Sequence, residues 1–472
     1  MSRSVGGSAS GRVVTWAWNL AHRPPPPEVR RAASRHILDA LGCAVGAARS
    51  GTVDRLLTVS HRTAGSGPAT LLDGNGPVTV EDAALGNGIL VHCLDFDDTH
   101  ADSMVHVSAA VLPAALAVAE QVDATGMDLI GAYLAGAETV CRLGAAAPGV
   151  FHRRGFHATA LVGVFGSTLA VGWLRELDPH VAQHALGIAG SMAAGSMEFL
   201  RSDATTKQLH PGLAGRNAVL AVDLAAAGAT GPPEVWEGPD GLFASYADLV
   251  VGADEIVDGL GSRWETLRIG VKRYPCCHLS HGSIDAARSL AADGVTASDI
   301  DDLVVVVHPG ASDIVCEPFP AGQAATHPDA DARADPDTAY EARFSLAWCV
   351  AAAVVDGGVD ARTFDPLRIR RPDVLALASR IRCEVADHAH GPATEQPGHL
   401  RVRLSDGEQL VVMAPGGLGG PDHPVDDDEL VDKFVLNCDG HRDALSLARR
   451  VMALEDEPSV QELAAAMATL AG

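Results

Sequence analysis

The run Leu94-Asp95-Phe96-Asp97-Asp98-Thr99-His100, with Asp102 and His106 just beyond it, is the densest cluster of titratable side chains in the chain. Carboxylates this close together stay ionised only when something offsets them: a metal ion, a hydrogen-bonding helix end, or cationic partners. Capping the helix that runs toward Pro113 would use one of these residues and leave the others unexplained. The candidate partners are unusual in their own right. Of the 35 basic residues only Lys207, Lys272 and Lys433 are lysines. In a chain that uses arginine almost everywhere, lysine persists where a compact ammonium is needed. Lys207 stands in Thr205-Thr206-Lys207-Gln208-Leu209-His210-Pro211-Gly212, and Lys272 in Lys272-Arg273-Tyr274-Pro275-Cys276-Cys277-His278. Both segments read as anion sites. A further imidazole, His157, lies in Arg153-Arg154-Gly155-Phe156-His157-Ala158-Thr159, a loop that gives way to a helix. Alone it would pass for a structural histidine, and it gains weight from its company. Together these groups suit removal of a proton beside a carboxylate of a small, acid-rich molecule. That chemistry needs a base, a proton donor and cations to hold charge as it builds.

Such residues have to be positioned, and the pattern around them is mostly helical. Pro24 to Pro27 forms a stop and a helix entry, after which Val29, Ala33, Ile37, Leu38, Leu41 and Val45 recur at helical intervals. From Thr79 to about Gly228 apolar periodic segments alternate with Gly-containing turns, which predicts a helical bundle. Hydrophobic residues make up 47% of the chain and aromatics 4%, a composition suited to closely packed helices. The character changes after Lys272. Leu303 to Val307 is β-branched, Ile381 to Val385 reads as a strand, and Leu400 to Leu404 meets Gln409 to Val412 across an Asp406-Gly407 turn, a hairpin signal. A helix is predicted over Thr338 to Asp356, and Pro318 to Asp337 reads as a mobile surface loop. Helices resume at Asp426 to Leu436, His441 to Leu454 and Ser459 to Leu470. The expected organisation is therefore mostly α: a large all-helical domain over residues 1–271 and 416–472, with a smaller α+β lid domain, 272–415, inserted into it.

The net charge of −25 argues against nucleic acid and anionic membranes as partners, since no run of Lys and Arg relieves it. No apolar stretch is long enough to span a bilayer and the N-terminus lacks the apolar segment of a signal peptide, so a cytoplasmic protein is expected. Nine cysteines without Cys-x-x-Cys spacing point to reduced thiols and away from zinc, iron–sulfur or redox pairs.

In order along the chain, Asn87-Gly88 to His92, Leu94 to His100 with His106 and Pro113, Gly155 to Thr159, Lys207 with His210-Pro211-Gly212, Lys272 to Cys277, Glu341-Ala342-Arg343-Phe344-Ser345, and Lys433-Phe434 resemble the MmgE/PrpD family. That family includes 2-methylcitrate dehydratases, cis-aconitate decarboxylases and iminodisuccinate epimerases. The resemblance implies an active site in the cleft between helical domain and lid, lined by Asp95, Thr99, His106, His157, Lys207 and Lys272, with no cofactor or metal and a homodimer as the usual assembly. Catalytic roles are expected for Asp95, His106, His157, Lys207 and Lys272, the two histidines serving as base and acid in either order. Substrate contacts are expected from Thr99, His210, Arg273, Tyr274 and Cys277. The chain departs from the family pattern at His106-Val107-Ser108, where His-Pro-Ser is common, and at Cys277, where some cis-aconitate decarboxylases have histidine. The expected function is accordingly a lyase acting on a small di- or tricarboxylate, with dehydration of the 2-methylcitrate type ahead of decarboxylation or epimerisation. Two rivals differ in class. An all-helical isoprenoid enzyme would use Asp97, Asp98 and Asp102 to bind magnesium and a diphosphate, but lacks a clear second metal motif and an aromatic-lined pocket. A catalytically silent family member acting as a binding partner is opposed by the intact histidines and lysines.

Overall fold

The architecture is that of a computed structural model, which describes residues 7–201, 204–316, 335–387, 391 and 393–471. The expected loop falls almost wholly outside the described residues. Helix α1 (Pro27–Ser50) starts on a proline and ends at Gly51, whose φ of 65° is the left-handed conformation that glycine adopts freely. Helix α2 (Val80–His92) is capped by Thr79, whose hydroxyl accepts from the Asp82 amide. The two-residue strand β1 (Thr99–His100) follows. The bundle continues with α3 (Val107–Gln121), α4 (Gly126–Ala145), α5 (Ala158–Leu174) and α6 (Thr206–Ala226). Helices α3 and α5 are buried almost from end to end, which is why neither shows a strongly one-sided apolar pattern.

Glycine sets the closest approach. A Cβ at Gly88 on α2 would lie 2.5 Å from the backbone of Gly212 on α6. The two helices therefore pack backbone to backbone, and the end of α2 is brought beside the start of α6. Strand β2 (Ile269–Gly270) pairs antiparallel with β1, in the register Thr99 to Gly270 and His100 to Ile269. This short ladder lays the segment carrying Lys272 alongside the Asp95 loop.

Past β2 come α7 (His281–Ala292), β3 (Ile300–Val307), α8 (Leu346–Asp356), β4 (Ile381–Val385), β5 (Gly398–Leu404), β6 (Gln409–Ala414) and α9 (Asp427–Asn437). The sheet order is β4-β3-β5-β6, with β3 parallel to β4 and antiparallel to β5. Leu303, Val305 and Val307 turn to the buried face of β3, as the period of two requires, and a register shift between Ile300 and Asp302 lets Ile300 be buried as well. Buried apolar residues form two clusters. One runs from Ala9 to Val271 and again from Val425 to Leu470, and the other from Tyr274 to Ala414.

The fold is mostly α, as the sequence predicts. Two details differ. The helix expected over Thr338 to Asp356 is broken into Ala339–Arg343 and Leu346–Asp356, because Ser345 takes an extended conformation and its hydroxyl accepts from the Trp348 amide, starting a new helix. Short ladders at Ala69–Thr70 with Pro77–Val78, and at β1 with β2, had no period-two signal because two residues are too few to show one.

Candidate active site

Asp95 sits on the loop leaving α2 with φ of 53°, a left-handed conformation that aspartate tolerates better than most residues. Its amide donates to the His92 carbonyl, which closes the turn. The turn directs the carboxylate at both expected cations. Lys207 Nζ donates to Asp95 Oδ1 at 2.7 Å, and Lys272 Nζ donates to the same oxygen at 3.0 Å and to the Asp95 carbonyl at 2.9 Å. All three residues are buried. Burial acts to raise the Asp95 carboxyl, but Lys207 and Lys272 outweigh it and hold the group well below the usual carboxylate range. Burial likewise acts to lower Lys272, and Asp95 and Asp97 overcome it, so the amine stays charged. Two ammoniums therefore meet at one carboxylate oxygen.

The histidines stand at helix entrances. His106 precedes α3 and His157 precedes α5, and neither side chain caps its own helix. Lys207 lies in the first turn of α6. Three helix N-termini, each carrying partial positive charge, therefore border the same space. His106 Nδ1 lies 3.2 Å from Asp97 Oδ2 and its Nε2 3.9 Å from Asp95 Oδ1. The same Asp97 oxygen meets His92 Nδ1 at 2.8 Å. Burial acts to raise Asp97, yet His92 and His106 hold it well below the usual range. His157 Nδ1 shares a hydrogen bond of 3.0 Å with His210 Nδ1. Burial, with His210, His92 and Lys207 nearby, pushes His157 well down, so its imidazole is neutral near pH 7. The two catalytic candidates thus have opposite surroundings, His106 between carboxylates and His157 among imidazoles and an ammonium.

These groups border a cavity of about 110 Å³ whose lining includes Asp95, Thr99, His106, His157, Lys207 and Lys272. Its other wall comes from the second core: Cys277, His278, Leu279, Ile314, Phe344 and Thr394. The structure thus gathers every expected catalytic residue, together with Thr99 and Cys277, around one space. Thr99 Oγ1 is bonded to His278 Nδ1 at 2.9 Å, and the Cys277 thiol is pushed up to about 12 by burial and Asp95.

Three expected substrate contacts are placed otherwise. Arg273 and Tyr274 do not line the cavity: the Arg273 guanidinium and the Tyr274 hydroxyl both donate to Asp285 Oδ1, at 2.9 and 2.5 Å. The chain bends from Arg273 to Cys276, directly after Lys272, and Asp285 of α7 takes both side chains away from the cavity. His210 stands behind His157, one side chain removed from the cavity. Within the acidic run, Asp98 accepts from the Ser108 amide and hydroxyl and so caps α3, and Asp102 pairs with Arg268 at the surface. Asp97 stands between His92 and His106, its Oδ2 meeting Nδ1 of both. His92, Asp97, His278 and Phe344 were not singled out from the sequence as site residues. His278 and Phe344 lay inside runs already marked by their neighbours, so proximity in sequence was the available signal. Among the described residues the donor atoms of His92, His106 and His157, and those of Asp95, Asp97 and His106, lie within 4.8 Å of one another, close enough to approach a shared ion.

The fold and site define a mostly helical protein with a buried pocket lined by two lysines, carboxylates and imidazoles, groups able to exchange protons. Residues 11–249 match the MmgE/PrpD N-terminal domain and residues 274–456 the MmgE/PrpD C-terminal domain. The chain belongs to the MmgE/PrpD family. Among its relatives are a cis-aconitate decarboxylase-like protein, oryM, of Aspergillus oryzae, 26% identical over 97% of both chains. The cis-aconitate decarboxylase of Aspergillus terreus is 26% identical over 90% of this chain and 88% of its own. That of Homo sapiens is 28% identical over 75% of this chain and 72% of its own. By their names the Aspergillus terreus and Homo sapiens relatives are lyases. No helix among the described residues is long and apolar enough to cross a membrane.

Proposed function

We propose that this protein is a cofactor-independent lyase of small polycarboxylates, and that its reaction is the decarboxylation of cis-aconitate or a close analogue. The observation that carries the reading is the convergence of Lys207 and Lys272 on Asp95 beside two histidines in unlike surroundings. A substrate carboxylate entering the pocket competes with Asp95 for the two ammoniums and is held there. A second carboxylate, on a carbon next to the double bond, leaves as CO2. The electron pair of the broken bond forms a new double bond, and the pair of the old one takes a proton at its far carbon. That proton comes from a histidine, which water re-protonates. Desolvated cations stabilise the charge that develops on the remaining carboxylates. The relatives' names move decarboxylation ahead of the dehydration expected from sequence.

Dehydration of a 2-methylcitrate-like acid is the second reading, favoured by His106. Flanked by Asp95 and Asp97, it is placed to receive a proton from a carbon α to a carboxylate while a second group protonates the departing hydroxyl. The second core acts as the lid in both readings, and we take the assembly to be a homodimer. The test is incubation in D2O with cis-aconitate, citrate, 2-methylcitrate and an iminodisuccinate-type acid, with and without EDTA, following CO2 and deuterium incorporation. Release of CO2 from cis-aconitate with one deuterium retained in the product, unaffected by EDTA, is expected. Exchange or alkene formation without CO2 selects dehydration or epimerisation. Loss of turnover in EDTA that magnesium restores would overturn the cofactor-independent reading.

A further inference from the structure

The chain's third lysine touches the same loop from behind. Lys433, on α9, donates from Nζ to the Phe96 carbonyl and to the Lys272 carbonyl, each at 2.9 Å. It forms an ion pair with Asp39 of α1 at 2.5 Å, and its ammonium lies 3.7 Å from the centre of the Phe96 ring. Its side chain is one-tenth exposed and it does not line the pocket that holds Asp95. All three lysines of the chain therefore meet one short loop, two on its reactive side and one on its back.

We infer that Lys433 is a positioning residue for the proposed reaction: it clamps the loop carrying Asp95 and Asp97 to the segment carrying Lys272. The inference rests on the reading of the pocket given above. The two carbonyls it holds belong to different segments, and each is close in sequence to a side chain that must be aimed. Phe96 lies between Asp95, whose backbone is left-handed, and Asp97, which orients His106. The Lys272 carbonyl is held from one side while its ammonium reaches Asp95 on the other. Lys272 stands where the chain passes from the first core, ending at Val271, to the second, beginning at Tyr274, so the clamp holds the chain at that crossing. An ammonium suits this junction because its donors point in three directions, toward two carbonyls and a carboxylate, whereas guanidinium donors lie in one plane. Asp39 ties the clamp to α1. Burial raises its carboxyl to about 6 even though Lys433 acts to lower it, so Lys433 also offsets a buried charge. Loss of that offset is a structural effect and has to be separated from positioning.

With three lysines in the chain, labelling lysine with 13C and 15N yields three side-chain signals, which Lys207→Arg, Lys272→Arg and Lys433→Arg assign. In Lys433→Arg the Lys272 signal is expected to move while the circular dichroism spectrum stays that of the native protein. The kcat for the acid identified by the D2O panel is expected to fall on the order of 10- to 100-fold with KM changed less than about twofold, the pattern of groups held slightly out of place. The double variant Asp39→Asn/Lys433→Met removes both charges together. It is expected to fold and to show the same displaced Lys272 signal and the same fall in kcat. A double variant with native lysine signals and native kcat would reduce Lys433 to a counter-ion of Asp39 and overturn the inference. So would native signals in Lys433→Arg. Because the lysine signals are read without turnover, a wild-type protein inactive on every acid tested would sink the proposed reaction and still leave the clamp to be judged.

Discussion

The wall of the pocket built by the first core carries Asp95, His106, His157 and Lys207, with Lys272 at the seam, whereas the wall built by the second core carries Cys277, His278, Leu279, Ile314, Phe344 and Thr394. On the first, charges are fixed by other charges and by helix ends. On the second, the groups are neutral: the Cys277 thiol is pushed up to about 12 by burial and Asp95, and His278 is lowered to about 3 by burial and Lys272. The difference teaches a division of labour. A site that moves protons and holds carboxylates needs pre-oriented charge, and a packed helical bundle supplies it with little reorganisation. The proposed reaction also has to choose among similar acids by shape, and the second wall supplies apolar and weakly polar side chains for that. Phe344 joins the two, with the Lys207 ammonium 5.1 Å from the centre of its ring.

The comparison is most severely tested on the first wall. Lys207→Ala is expected to lower kcat/KM by about 10³-fold, at the upper end of what loss of one electrostatic contact to a developing charge costs, with the fold intact by circular dichroism. Steady-state kinetics on the acid identified by the D2O panel check it, and a variant with normal kcat/KM would take the chemistry away from this wall. Leu279→Ala should act differently. It is expected to change the ratio of kcat/KM between acids that differ by one methyl group by roughly 10-fold, within the range that one hydrophobic contact discriminates, while kcat for the preferred acid changes less. Unchanged selectivity, or a loss of kcat as large as that of Lys207→Ala, would erase the distinction between the walls.

The smallest effect concerns stability, and both walls contribute. Burial is the leading cause that lowers His92, His152 and His210 to about 4 and His278 to about 3. Unfolded histidines titrate near 6.5, so between that pH and 4 the unfolded chain binds more protons than the folded one, and stability falls as pH is lowered through this window. Asp39 and Glu120 oppose the trend, since burial raises them to about 6 and about 7 and they hold their protons in the fold. The histidines outnumber them, so Tm is expected to drop steadily between pH 7 and pH 5. Calorimetry at several pH values checks this. His278→Gln, on the second wall, and His152→Gln, on the first, should each make the decline shallower. A Tm that is flat or rises toward pH 5 would mean that these rings are not buried neutral.

Much of the fold was legible because its signals are local. Pro27 at a helix start, the Gly-containing turns between apolar periodic segments, and Asp406-Gly407 between two strand-like runs each act over a few residues. Thr338 to Asp356 was less legible, because the residues that break the helix are themselves compatible with one, and the side chain of Ser345 decides the outcome. The site was legible as a set of residue types. An acidic run, scarce lysines and histidines at loop ends point to a charged pocket, and the cavity gathers Asp95, His106, His157, Lys207 and Lys272. Their pairings were not legible. Arg273 and Tyr274 looked as eligible as Lys272, and nothing in their identities told which way the bend after Lys272 would turn them.

What the sequence determined by itself was the inventory: which ionisable groups exist, how few of them are lysines, and which stretches must be helix, because propensity, capping and periodicity act between near neighbours. Only the tertiary structure decided that Asp97 would serve His92 and His106 while Asp98 caps a helix, and that Lys433 would stand behind Phe96 and Lys272. Those choices depend on the left-handed turn at Asp95 and on the close packing of α2 against α6. They are contacts between residues far apart in the chain, and their geometry arises only when the cores assemble.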